Sequence, residues 1–174
     1  MTETTQYLHA YETPMGVMTA TSDGKAVTGL TFFTPKEAGA AGQVTMQNGE
    51  LPVFQELKGW LDTYFEGEDP GKAPPMRMIG TPFRLSVWQI VSEVPYGVLI
   101  TYGEIARRLA RQRGIPKMAA LAVGNALGDN PMSLLIPCHR VIGAGDSLGG
   151  YGGNLDLKRQ LLAGEGIVRN WNQN

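Results

Sequence analysis

The sequence predicts an α+β chain in two parts: a small N-terminal part in which a helix covers a sheet, and a mostly helical C-terminal part with a helix-turn-helix outline. Three observations predict it. Strand-forming residues flank an Asp-Gly turn in the first half, apolar residues at helical spacing dominate the second, and a Gly/Pro-rich stretch, "EGEDPGKAPPMRMIGTPF", lies between them. The domains are accordingly placed at 1–75 and 76–174. With 174 residues, 43% hydrophobic and 18% charged, the chain has enough apolar material for real cores.

In chain order, "GVMTATSDGKAVTGLTFF" predicts two strands joined at Asp23-Gly24, because glycine accepts positive φ and the flanks are rich in Val, Thr and Phe. Pro52 suits a first helical turn, and Val53, Phe54, Leu57, Trp60, Leu61, Tyr64 and Phe65 recur at helical spacing, so a helix should cover the sheet. His9 is expected at the surface. Thr81-Pro82 opens a helix with Phe83, Val87, Ile90 and Val91 on one face. Thr101 and Glu104 form a capping box that opens "TYGEIARRLARQ", and after a break at "RGIP" the segment "KMAALAVGNALG" predicts a second short helix. Asn130-Pro131 marks a turn, 133–136 a short apolar strand, "GAGDSLGGYGGN" a glycine-rich loop, and Asn154 the cap of a last helix that stops at Gly164.

Charge is divided unevenly. Residues 1–75 carry four lysines against ten acids, a balance of −6, whereas residues 76–174 carry eleven Lys/Arg against six acids, a balance of +5. A basic second half suits a polyanion partner or, equally, a solvated basic face. The helix from 117 to 128 is almost without side-chain bulk, and Arg107, Arg108, Arg111, Arg113 and Lys117 lie next to it. Such a helix can approach a duplex closely with cations beside it for phosphates; tight packing on a neighbouring helix explains the small residues as well. No run approaches the roughly 18 apolar residues of a membrane span, and the N-terminus lacks the pattern of a secretory signal, so a cytoplasmic protein with no membrane partner is expected. The glycine-rich loop lacks the Gly-Lys-Ser/Thr ending of a nucleotide cradle.

The chemistry is concentrated in "IPCHRVIG". Cys138 is the single cysteine, so it forms no internal disulfide, and with two histidines far apart in sequence no Cys/His zinc pattern can be read. A free cysteine in an apolar segment is often only a small hydrophobe. A nucleophilic one needs a base or a cation nearby, because at its ordinary pKa of about 8.5 only a few per cent is thiolate at neutral pH, and His139 and Arg140 are adjacent. If the segment is extended, neighbouring side chains point to opposite faces, so Cys138 and His139 would meet only through a bend or a bridging water.

"ITYGEIA", "AVGNALGDNPMSLLIPCHRVIG" and "GGYGGNLDLKRQLLAGEG" together resemble the O6-alkylguanine-DNA alkyltransferase family, and "TPFRLSVWQIVSEVPYG" resembles the first helix of its C-terminal domain. The resemblance is strong over about residues 80–167 and only in outline before them. It implies a ribonuclease-H-like N-terminal domain and a C-terminal domain with a winged helix-turn-helix. It also implies single-turnover DNA repair, in which the alkyl group of O6-alkylguanine, with O4-alkylthymine as a second candidate, passes to the protein's own cysteine. By this resemblance Cys138 is the acceptor, His139 its base through a water, Glu165 the residue that orients His139, and Asn130 the brace of the nucleophile turn. Tyr102 presses on the target phosphate, Arg140 belongs with the DNA-contacting residues, and Val141, Tyr151, Gly152 and Gly153 line the base pocket. A monomer acting on alkylated double-stranded DNA without metal or cofactor is implied. Two other classes share some of these features: a Cys-His hydrolase and a lesion-binding module that does not react.

Three departures from the family pattern stand out. Leu121 occupies the position where most relatives place an arginine that enters the base stack. The segment "RLARQRGIPKM" is about five residues longer than in the commonest members. Gly152 stands where relatives often carry Ser or Ala.

Overall fold

The computed structural model describes residues 5–32, 44–47 and 51–171. They divide into two compact units: the described residues up to Ile79 together with Pro131–Leu135, and Gly80–Asn130 together with the described residues from Ile136 on. The class is α+β, as expected.

In the first unit, β1 (Thr5–Thr13), β2 (Gly16–Ser22) and β3 (Val27–Thr31) pair antiparallel in sequence, and β4 (Val44–Gln47) joins β1 in parallel, giving the order β3-β2-β1-β4. The expected hairpin is β2–β3, and Asp23 closes its turn by accepting from the Lys25 and Ala26 amides at 2.9 and 3.0 Å. Strand β1 escapes a pattern reading because its buried residues, Leu8 and Tyr11, fall on opposite faces, so no period of two emerges. Helix α1 (Pro52–Phe65) buries Val53, Phe54, Leu57, Leu61 and Tyr64, and the Tyr11 hydroxyl donates to Phe54 O at 2.9 Å. His9 is half-buried, its ring edge-on to Tyr11.

The outer edge of β3 would be a template for unwanted pairing, and two short segments cover it. Val27 exchanges backbone bonds with Pro75 and Arg77, and Leu30 with Pro131 and Ser133, at 2.7–2.9 Å. Here the expected strand at 133–136 gives way. Met132 makes a single bridge to Leu30, and the chain then turns, with Leu134 in the left-handed region at φ 70. Burial of Met132, Leu134 and Leu135 offsets a backbone conformation that costs a leucine about 1–2 kcal/mol.

The second unit contains α2 (Pro82–Ser92), β5 (Ile100–Thr101), α3 (Tyr102–Arg113), α4 (Ala120–Gly128), a 3₁₀ turn (Cys138–Arg140), β6 (Val141–Ile142) and α5 (Leu155–Gly164). Caps set the helix starts: the side chains of Thr81, Thr101 and Asn154 accept from the amides of Arg84, Glu104 and Leu157 at 3.1–3.2 Å. The Glu104 carboxylate points down α3 to Arg107 and Arg108, at 2.9 and 3.1 Å. Gly114, left-handed at φ 65, ends α3 before the loop that leads to α4. Helix α4 begins at Ala120, three residues later than the sequence pattern suggests, and buries Val123, Ala126 and Leu127. Trp88 of α2 fixes it by donating from Nε1 to Ala126 O at 2.9 Å. Among the described residues no helix is long and apolar enough to cross a membrane.

Candidate active site

The site lies in the second unit, where the chain returns from 131–135. Asn130 and Ile136 stand at the two ends of that excursion, and the Asn130 side-chain amide joins them by donating to Ile136 O at 2.9 Å. The same nitrogen lies 2.9 Å from Cys138 Sγ. One side chain therefore pins the loop and touches the thiol, which accounts for an asparagine in front of the turn-forming Pro131.

Cys138 opens the 3₁₀ turn rather than sitting in an extended strand, so the alternation expected of neighbouring side chains does not apply. The thiol is free and buried. Burial pushes its pKa up to about 12, against the opposing pull of the Asn130 hydrogen bond and the Lys158 charge. The resting group is thus a neutral thiol that needs a base before it can attack.

His139 is completely buried and bonds through Nε2 to Glu165 Oε2. Burial lowers the imidazole pKa, Glu165 works against that fall, and Arg140 and Lys158 add to it. The ring is therefore neutral near pH 7 and able to accept a proton. Glu165 follows α5, and its Oε1 accepts from Arg140 Nε at 2.8 Å and from the Gly97 amide at 2.9 Å. Burial alone would raise the carboxyl pKa, but the His139 bond, the Gly97 amide and the Arg140 charge overcome it and hold the group well below the usual carboxylate range. Arg140 is 6% exposed, and its Nη1 donates to Val94 O at 2.8 Å.

Tyr102, at the start of α3, accepts from the Gly150 amide at 3.2 Å. A Cβ on Gly149, whose φ is +76, would lie 2.7 Å from the Tyr102 ring and hydroxyl, so only glycine lets the loop pass there. Gly149→Ala is expected to cost about 1–3 kcal/mol and to displace Tyr102; thermal unfolding checks the first and the NMR shifts of the Tyr102 ring check the second. Gly152 and Gly153 are exposed at φ 56 and 83, and Tyr151 beside them is half-buried. Val141 is buried, and its carbonyl accepts from Lys158 Nζ at 2.6 Å. Leu121 projects from α4 with 76% exposure, on a face that continues through Asn125 and Gly128.

The fold thus bonds Asn130 to Cys138, gathers His139, Arg140 and Glu165 into a second hydrogen-bonded group on the same turn, and places Tyr102 against the glycine-rich loop. Three participants escaped the sequence reading. Gly149 and the Gly97 amide leave no side-chain signal, but Lys158 does: it lies three and four residues before the buried Leu161 and Leu162, on the core face of α5. Its fully buried ammonium also donates to Gly150 O at 3.0 Å, and burial lowers its pKa to about 8. Among the described residues no group of three or more His, Cys, Asp or Glu is placed to hold a metal ion.

The buried groups predict acid lability. For both His139 and Glu165 the folded pKa lies below the ordinary values of 6.5 and 4.5. The unfolded chain therefore takes up protons first as pH falls. The contribution of these two groups is full above about pH 6.5 and is lost first as His139 and then as Glu165 binds a proton more readily in the unfolded chain. Chemical denaturation at pH 7.5, 5.5 and 4 should give successively lower stability, with the steeper part of the loss diminished in Glu165→Gln.

A buried thiol followed by a neutral histidine that an ionised carboxylate holds defines a protein that carries a nucleophile with its own base, set in the same unit as the α3–α4 helix pair. Comparison with known proteins agrees. Residues 82–167 match the family described as "6-O-methylguanine DNA methyltransferase, DNA binding domain", and residues 6–70 match its "ribonuclease-like domain". The chain is 41% identical to a methylated-DNA--protein-cysteine methyltransferase of Haemophilus influenzae, over 94% of this chain and 88% of that one. It is 38% identical to a protein of the same name from Methanosarcina acetivorans, over 92% and 98%. The crystal structure of Mycobacterium tuberculosis OGT in complex with DNA superposes with a TM-score of 0.76 at 35% identity, covering 91% of this chain and 92% of that one. The chain belongs to the 6-O-methylguanine DNA methyltransferase family.

Proposed function

We propose that this protein repairs alkylated double-stranded DNA by moving the alkyl group of O6-alkylguanine onto Cys138 in a single turnover. The observation that carries this reading is the cluster itself: a neutral buried thiol against Asn130, beside an imidazole that Glu165 keeps ready to accept a proton. His139 takes the Cys138 proton through an intervening water. The thiolate sulfur then bonds to the alkyl carbon as the carbon–O6 bond breaks, and guanine keeps that electron pair and takes up one proton. The product is a thioether, which water does not cleave at neutral pH, so each chain acts once. No cofactor enters.

A guanine inside the stack is out of reach of a buried thiol, so the base must swing out, at a cost of a few kcal/mol that a mispaired alkylated base makes smallest. Val141, Tyr151, Gly152 and Gly153 receive it, and Tyr102 presses on its phosphate. Residues 1–75 act as a structural domain and residues 76–174 as the DNA-binding and acceptor domain, in a monomeric protein of the cytoplasm.

The basic segment at 107–117 borders a groove of about 460 Å³ lined by Arg107, Arg111 and Lys117 with Ala106, Ile115 and Met118. Replacing Arg111 and Arg113 by glutamine is expected to weaken duplex binding and to flatten its dependence on salt, by about one unit of slope for each phosphate that is no longer neutralised. Binding isotherms between 50 and 200 mM salt read this directly; an unchanged slope would place both side chains away from DNA.

The reading is tested by titrating a duplex containing one O6-methylguanine with protein and scoring restored guanine. Repair should stop at one lesion per chain and be absent in Cys138→Ser. Continued repair by a limiting amount of protein would sink it.

A further inference from the structure

Arg140 is buried and held at three points. Its Nε meets Glu165 Oε1, its Nη1 meets Val94 O, and its guanidinium lies over the Tyr96 ring at 5.7 Å from the centroid. A side chain so enclosed has no reach toward a phosphate, although the family resemblance groups it with DNA-contacting residues. We propose that Arg140 is a positioning residue for the transfer reaction: gripping Glu165 from the side opposite His139, it supplies the charge that keeps the imidazole neutral and fixed as the acceptor of the Cys138 proton. The inference rests on the reading of Cys138 as acceptor and His139 as base.

Charge balance in a buried site is what gives Arg140 this role. His139 and Glu165 are shielded from water, so their combined charge is set by the groups around them. Glu165 faces His139, Arg140 and the Gly97 amide; His139 faces Glu165 and feels the charges of Arg140 and Lys158. Burial is the largest influence keeping the imidazole uncharged, and with Arg140 present the guanidinium neutralises the carboxylate that would otherwise draw a proton onto the ring. Without it, Glu165 would be a buried anion whose nearest partner able to take up a proton is His139. The pair would then rest as imidazolium and carboxylate. An imidazolium has no lone pair for the thiol proton, so base function would disappear at the pH where the wild-type protein works. Lys158, which bonds to the carbonyls of Val141 and Gly150, does not touch Glu165 and cannot substitute. Two-point attachment matters too: the planar fork holds Glu165 and the Val94 carbonyl at once, which fixes the carboxylate's direction and through it the ring.

The test uses full-length protein with Arg140→Met, Arg140→Gln and Arg140→Lys. Each is measured for single-turnover transfer from an O6-methylguanine duplex between pH 6 and 9, for duplex affinity, and for His139 titration by imidazole NMR. Arg140→Met should move the His139 titration and the acid limb of the rate profile upward together. Transfer should be roughly tenfold or more slower at pH 7, largely recovered at pH 9, with duplex affinity unchanged. Arg140→Lys keeps the charge and should keep the wild-type limb. If the methionine variant does not fold, Arg140→Gln, which retains a donor to Glu165 without the charge, is read the same way. A variant lacking the charge but retaining the wild-type profile would overturn the proposal, as would one that loses duplex affinity while the profile stays in place. Failure of the parent reading looks different: wild-type protein itself would leave Cys138 unalkylated.

Discussion

Glu165→Gln slows alkyl transfer by about 10²–10⁴-fold while leaving duplex affinity within a few-fold of wild type. The amide cannot hold the buried His139 ring with a charge-assisted bond, so the imidazole loses both its orientation and the anion that would stabilise it once protonated. The same substitution removes the carboxylate from Arg140, leaving a guanidinium buried without its counter-charge, which costs about 3–5 kcal/mol of folding stability. His139→Ala removes the base itself and shares the rate loss without stranding Arg140. Single-turnover rates and binding isotherms on one protein preparation separate the effects. Equal losses of rate and affinity in both variants would make the pair structural.

Leu121→Ala lowers the repair rate on duplex DNA by about tenfold and leaves reaction with the free alkylated base unchanged. Leu121 is 76% exposed, on the face of α4 that carries Asn125 and Gly128, so it contributes nothing to the core that Val123, Ala126 and Leu127 form. On the proposed function an apolar side chain there would fill the space a swung-out base leaves, as apolar wedges do in minor-groove proteins, and truncating it would withdraw about 1–3 kcal/mol from the flipped state. Leucine offers no cation to the orphaned partner base. On the same reading the exposed Arg111 and Lys117 near the start of α4 would supply attraction to the DNA backbone instead. The free base needs no flipping and serves as the control. Equal damage to both substrates would assign Leu121 to the fold.

Much of the second unit is legible in the sequence because local chemistry and tertiary packing agree there. Thr81-Pro82, Thr101 and Asn154 each announce a helix start, and each side chain makes its capping bond. The 133–136 segment shows the opposite. Its apolar run reads as a strand, yet only its first amide, at Ser133, bonds to a strand, at Leu30 O, and the chain then turns through Leu134, an arrangement set by a residue about a hundred positions away. Strand β1 is obscured because residues on both its faces are covered. The cluster around Cys138 is recognisable as a motif, but its electrostatics depend on partners that sequence spacing does not bring together: Gly97 is 68 residues from Glu165, and Val94 is 46 from Arg140. The role of Arg140 is the clearest case, since adjacency to Cys138 suggests a cation for DNA or the thiol, whereas the fold turns it inward to the carboxylate.

The central claim, that Cys138 receives the alkyl group once and keeps it, is tested most directly by mass. Protein incubated with a duplex carrying one O6-methylguanine per strand pair should gain the mass of one methyl group, and peptide mapping should place it on Cys138 alone, with the gain unchanged on prolonged incubation with excess DNA. A methyl group on another residue, loss of the gained mass with time, or disappearance of the lesion in the presence of Cys138→Ser would contradict the account.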